Sequence, residues 1–221
     1  MLRILLPVLL LTSCQFTQEL RQDPRPHDER LGELMESLDE IRQGRGEDLG
    51  RREREIRASI DQLYYEDPHH VDTAWVLGVL AFEDRDYDRA TWYLDSVLRR
   101  APDHARAAEA RVRLALEQGN LGFAGRLIEQ AVQHSPADAG LREAQALSLS
   151  LAEDWRGARQ ALDDAERLGA PSWRVSFNRG LLAESQGNTA DAIANYRDAI
   201  ELREGDYQRA EDRLIGLGGE R

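Results

Sequence analysis

Residues 71–104 read VDTAWVLGVLAFEDRDYDRATWYLDSVLRRAPDH. Ala74, Leu77, Gly78 and Ala81 fall at the three- and four-residue spacing that puts side chains on one helix face. The acidic run Asp84–Asp88 interrupts the pattern, and Ala90, Leu94 and Val97 then resume it. Pro102 ends the second run, because proline lacks the N–H that a helix interior needs and its ring clashes with the preceding turn. The stretch predicts two helices joined by a short turn, with small residues where they cross.

The same 34 residues recur downstream. Ala90, Ala124, Ala158 and Ala192 stand 34 apart, as do Leu94, Ile128, Leu162 and Tyr196. Val97, Ala131, Ala165 and Ala199 form a third column, and Pro68, Pro102 and Pro136 a fourth. Gly78, Val112, Ala146 and Gly180 share the position where the helices approach, and valine there should hold its pair slightly apart. Gly119-Asn120 and Gly187-Asn188 occupy turns, where glycine accepts positive φ. Upstream, Ile56, Ile60, Leu63 and Pro68 keep phase while the first helix of that unit, with Leu31, Leu34, Met35, Leu38 and Ile41, slips.

These columns resemble the tetratricopeptide repeat, although the family's early tryptophan column carries Ala74, Ala108, Arg142 and Ser176 here. The resemblance implies an all-α solenoid of about five helix-turn-helix repeats: a degenerate unit over 31–70, then 71–104, 105–138, 139–172 and 173–206. Residues 207–217, with Ala210, Leu214 and Leu217 on one face, read as a capping helix. One such repeat cannot bury its apolar face alone, so the units must stack.

Composition narrows the function. Forty-one acidic against 29 basic residues give a net charge of −12, which disfavours binding to a phosphate backbone. Every basic residue is arginine, so lysine chemistries, from the P-loop to the Schiff base, are excluded. A single cysteine, Cys14, rules out an internal disulfide and a cysteine-rich zinc site. Asp84, Asp86, Asp88 and Asp95 imitate calcium-loop spacing, but Arg89 holds the place of the required glycine and Asp95 that of the bidentate glutamate. His69-His70 reads as a solvated connection rather than a metal site. Neither a catalytic constellation nor a cofactor motif emerges, so the chain reads as non-catalytic, with no metal, nucleic-acid or small-molecule partner.

Residues 1–13 combine Arg3 with the apolar run Ile4–Leu11, too short to span a bilayer. Leu11-Thr12-Ser13-Cys14 follows at once and resembles the bacterial lipobox. That resemblance implies a cleaved signal peptide over 1–13, acylation of Cys14 and, with Gln15 next, residence on the periplasmic face of the outer membrane. Residues 14–30, polar and containing Pro24 and Pro26, then read as lipidated cysteine and tether. Lipoproteins of similar size and repeat type serve as pilotins of type IV pilus secretins and in β-barrel assembly.

In the repeat family the first helix of each unit lines a concave groove that holds a protein or peptide partner. Carried over by register, that groove would present Trp75, Val79 and Phe82, then Arg106, Glu109 and Arg113, then Leu147, and finally Arg174, Phe177 and Leu181. Trp75, Val79 and Phe82 would form an apolar anchor site at one end. The basic and asparagine clamp of the chaperone-tail binders has no counterpart in these positions.

Overall fold

A computed structural model describes residues 23, 25–203 and 207–219. The signal peptide, Cys14 and most of the tether lie outside them. Eleven helices follow one another among the described residues: α1 (His27–Arg42), α2 (Leu49–Glu66), α3 (Val71–Glu83), α4 (Tyr87–Arg100), α5 (Ala105–Glu117), α6 (Leu121–His134), α7 (Ala139–Leu151), α8 (Trp155–Arg167), α9 (Ser172–Ser185), α10 (Thr189–Leu202) and α11 (Gln208–Gly216). They form five antiparallel pairs closed by α11, and each odd-numbered helix from α3 to α9 also packs on the next odd-numbered one. That stacking is the solenoid.

The spacing columns are the core. Ala90, Ala124, Ala158 and Ala192 are fully buried, as are Leu94, Tyr196, Val97, Ala165 and Ala199. A Cβ on Gly78 would stand 2.9 Å from two Leu94 carbons, so glycine is required there for the helices to cross. Val112 takes the same place in the next pair, and α5 and α6 are the least closely joined of the four full pairs. One methyl-bearing side chain at a crossing sets the separation.

The turns repeat as faithfully as the core. Arg85, Gly119, Glu153 and Gly187 all adopt positive φ, between 60° and 73°. The next residue, Asp86, Asn120, Asp154 or Asn188, then caps the second helix by accepting the N–H three residues on. Two units thus hold a β-carbon in a left-handed conformation that suits glycine. Arg85→Gly and Glu153→Gly should each raise stability by about 0.5–1 kcal/mol, the relief of strain exceeding the added chain entropy. Thermal melts of the two variants, which should shift upward, check this.

The first helices of the units are capped differently. His70 Nδ1 accepts from the Thr73 amide at 3.2 Å and His104 Nδ1 from the Ala107 amide at 3.0 Å. Their Nε2 atoms face Asp28 at 2.9 Å and Asp72 at 3.1 Å, carboxylates of the preceding unit. His70 is therefore a half-buried cap that ties α3 to α1, rather than a solvated loop residue. Asp138 holds the same column and caps α7. The column ends there: α8 stops at Gly169, with φ at +89°, and α9 starts from Pro171 without a side-chain cap.

Helix α1 takes in residues 27–30, which composition places in the tether. Two contacts draw them in: His27 Nε2 bonds the Leu63 carbonyl at 2.9 Å, and Arg30 pairs with Glu66 at 2.7 Å. The Arg30 guanidinium holds the Glu66 carboxyl below the ordinary carboxylate range. Because that value is depressed in the fold, the pair contributes stability above the unfolded carboxylate value of about 4.3 and loses it as pH falls through the folded one. Melting temperature between about pH 5 and about pH 3 should therefore fall more steeply in wild type than in Glu66→Gln.

Candidate cleft on the inner face

Three columns of the odd-numbered helices face inward. Trp75, Glu109, Glu143 and Phe177 form one, Val79, Arg113, Leu147 and Leu181 the second, and Phe82, Leu116, Ser150 and Glu184 the third. Members of a column stand 34 residues apart, and helical spacing within each unit puts the three columns on one face. From Phe82 onward this face opens into a cleft of 660 Å³ between α5, α7, α9 and the start of α11. A second hollow of 500 Å³, sharing Leu147, Leu151 and Leu181, continues it toward Leu162.

Phe82, Glu109, Arg113, Leu147, Arg174, Phe177 and Leu181, all expected in the groove, line this one cleft. Trp75, Val79 and Arg106 do not line it. The Arg106 guanidinium lies over the Trp75 ring at 5.4 Å, and the His104 ring packs on it at 5.9 Å. Val79 is half-buried beside them. The apolar stripe therefore splits: Phe82 reaches the cleft, while Trp75 is roofed by the neighbouring unit.

The charges of the cleft are largely neutralised within the protein. Arg113 pairs with Glu109 at 2.6 Å and Arg213 with Glu184 at 2.9 Å. On the floor, Glu143 is only 3% exposed at its side chain and is held by the Arg174 guanidinium, whose pKa is raised by that hydrogen bond. Tyr196 donates its hydroxyl to Glu184 at 2.5 Å; burial first, and this acceptor second, push its phenol well up. Between the ion pairs run Phe82, Leu116, Leu147, Leu151 and Leu181, an apolar strip with Leu151 48% exposed. Such a surface can receive apolar side chains without leaving a charge unpaired.

Helix α11 supplies residues that no column indicates. Tyr207 packs edge-on against Trp173 with ring centroids 5.1 Å apart and covers Phe177 at 5.2 Å, and burial raises its phenol. Arg209 lies over the Phe177 ring at 5.6 Å and lines both hollows. Trp173, Leu151 and Asn178 also line the cleft. Leu151 and Asn178 sit one place off the columns, while Tyr207 and Arg209 belong to no repeat, so periodicity could not find them. No histidine, cysteine or lysine is found among the described lining residues, and the geometry brings no nucleophile to a base.

The tetratricopeptide repeat family matches residues 75–139 and 143–207, together more than half of the chain. No curated protein matches the sequence. Among solved structures, the fold is similar to that of a thermophilic tetratricopeptide-repeat protein of Thermus thermophilus, with a TM-score of 0.72, 16% identity and coverage of 87% of this chain and 98% of that one. It is also similar to PilW, a widely conserved type IV pilus biogenesis factor, with a TM-score of 0.65, 13% identity and 86% of each chain covered. The PilF of Pseudomonas aeruginosa aligns with a TM-score of 0.58 at 16% identity, over 86% of this chain and 83% of that one. Identities this low speak to the fold alone.

Proposed function

The chain belongs to the tetratricopeptide repeat family, and from that premise we propose that it is a non-catalytic scaffold that holds a partner protein in the inner cleft at the periplasmic face of a bacterial outer membrane. The observation that carries the binding role is the internally neutralised cleft with its exposed apolar strip. Its chemistry fits a helix or extended segment that inserts apolar side chains and leaves polar groups at the rim. The membrane location rests on the lipobox-like Leu11–Cys14, which would give the chain an acylated cysteine as its anchor. Type IV pilus biogenesis, the process in which PilW acts, is the envelope process in which to seek the partner first.

Two substitutions in the strip test the binding role. Leu147→Arg and Leu181→Arg, at half-buried positions, would put a cation where an apolar side chain must seat. Each should weaken partner capture by at least about 30-fold, the size of a hot-spot loss, with helicity retained. Photo-crosslinking in intact cells followed by mass spectrometry measures the capture. Undiminished capture by both folded variants would remove the cleft from consideration. Separately, Cys14→Ala should leave an unprocessed precursor without acyl mass; normal maturation of that variant would defeat the anchoring.

A further inference from the structure

The convex side of the first two helix pairs carries an aromatic surface that the cleft does not use. Trp92 is 55% exposed and Tyr65 77% exposed, on neighbouring even-numbered helices. They flank a cluster in which Tyr64 meets Tyr93 edge-on at 5.3 Å and Trp92 at 6.3 Å, while Trp92 packs on Tyr93 at 4.9 Å. Arg99 and Arg100 end α4 on the same side, and Arg100 reaches the Tyr64 hydroxyl. The ion pairs of α4 involve Arg89 and Asp95 instead, with Asp86 and Arg111, so Arg99 and Arg100 have no carboxylate partner among the described residues. Asp61 faces Arg89 at the border of the patch.

We infer that Tyr65, Trp92, Arg99 and Arg100 form a contact with the lipid headgroups of the membrane to which Cys14 would anchor the chain. The inference rests on that anchoring and adds to it an orientation. Tryptophan and tyrosine join an apolar body to a polar tip, which suits the boundary between acyl chains and water better than a dry protein core. Unpaired arginines beside them complement anionic phosphates, each worth about a fivefold gain near such a surface.

The path of the chain brings this patch, rather than another, to the bilayer. His27 bonds the Leu63 carbonyl and Arg30 pairs with Glu66, so the chain enters the fold beside the end of α2 that bears Tyr64 and Tyr65. Cys14 and Asp23 are nine residues apart, at most about 32 Å at full extension. The net charge of −12 opposes free adsorption to an anionic surface. A tether that short raises the effective concentration of bilayer at the patch to the millimolar range, so a weak contact suffices.

The test uses the full acylated chain, purified from membranes and reconstituted into phosphatidylethanolamine–phosphatidylglycerol vesicles with brominated acyl chains. Trp92 is one of four tryptophans, so bromine should quench about a quarter of the emission. Trp92→Phe should abolish that fraction, and Arg99→Gln with Arg100→Gln should reduce it while leaving the melting temperature unchanged. An acylated chain whose emission is not quenched, or is quenched equally in Trp92→Phe, overturns the membrane contact and leaves the anchor standing. Quenching absent while Trp92→Phe loses a crosslinked protein would make the patch a protein interface, which also overturns it. An unmodified Cys14, seen by intact mass, sinks the anchoring and this contact together.

Discussion

Tyr196→Ala should destabilise the protein by about 3–5 kcal/mol, the cost of deleting a large buried aromatic ring. Tyr196 is fully buried where α9 and α10 cross, with its ring against Phe177 at 5.6 Å. Gly180 exists to admit it: a Cβ there would stand 2.5 Å from the Tyr196 ring, so no neighbour on that side can move in to fill the cavity. The variant also leaves Glu184 with only Arg213 to hold it. For a chain of this size the loss corresponds to a fall in melting temperature of roughly 6–20 °C, read by calorimetry. Hydrogen exchange should place the loss in α9, α10 and α11 first, because a repeat array communicates stability through adjacent interfaces. A uniform loss of protection across α1 to α8 would contradict that account.

Arg174→Met should cost about 3 kcal/mol, because it leaves the Glu143 carboxylate buried without its counter-ion. The lower end of the range applies because the Arg174 side chain is 36% exposed and partly screened by water. Glu109 stands close enough to favour the Arg174 charge, so the vacated site would also bring two carboxylates together. Adding Glu143→Leu to Arg174→Met should restore most of the stability, since a methyl-rich pair satisfies the same volume without a charge. Urea titration of the wild type, the single variant and the double variant measures the difference. Equal midpoints for the single and double variants would mean that Glu143 costs nothing when alone.

The site was only partly legible before folding. Glu109, Arg113, Leu147, Arg174, Phe177 and Leu181 were all found from register, because a column 34 residues long in period keeps its face from one unit to the next. Trp75 was placed on the right face but in the wrong surroundings, since its cover comes from Arg106 and His104 of the following unit. Arg209 and Tyr207 gave no signal, because α11 has no counterpart in any repeat. The histidine caps escaped for another reason: serine, threonine, aspartate and asparagine are the residues read as caps, and His70 and His104 act through ring nitrogens.

What the amino-acid sequence determined alone is the repeating unit: two helices, their turn, and the small residues at each crossing. Those features depend on contacts within about 34 residues, and local periodicity encodes them directly. The tertiary structure alone decided where the inner face opens, which charges cancel and what α11 covers. Arg174 meets Glu143 across 31 residues, Arg213 meets Glu184 across 29, and Arg30 meets Glu66 across 36. Such pairs depend on the angle at which one unit stacks on the next, and that angle is the summed result of side-chain volumes such as Val112 at one crossing and Gly180 at another.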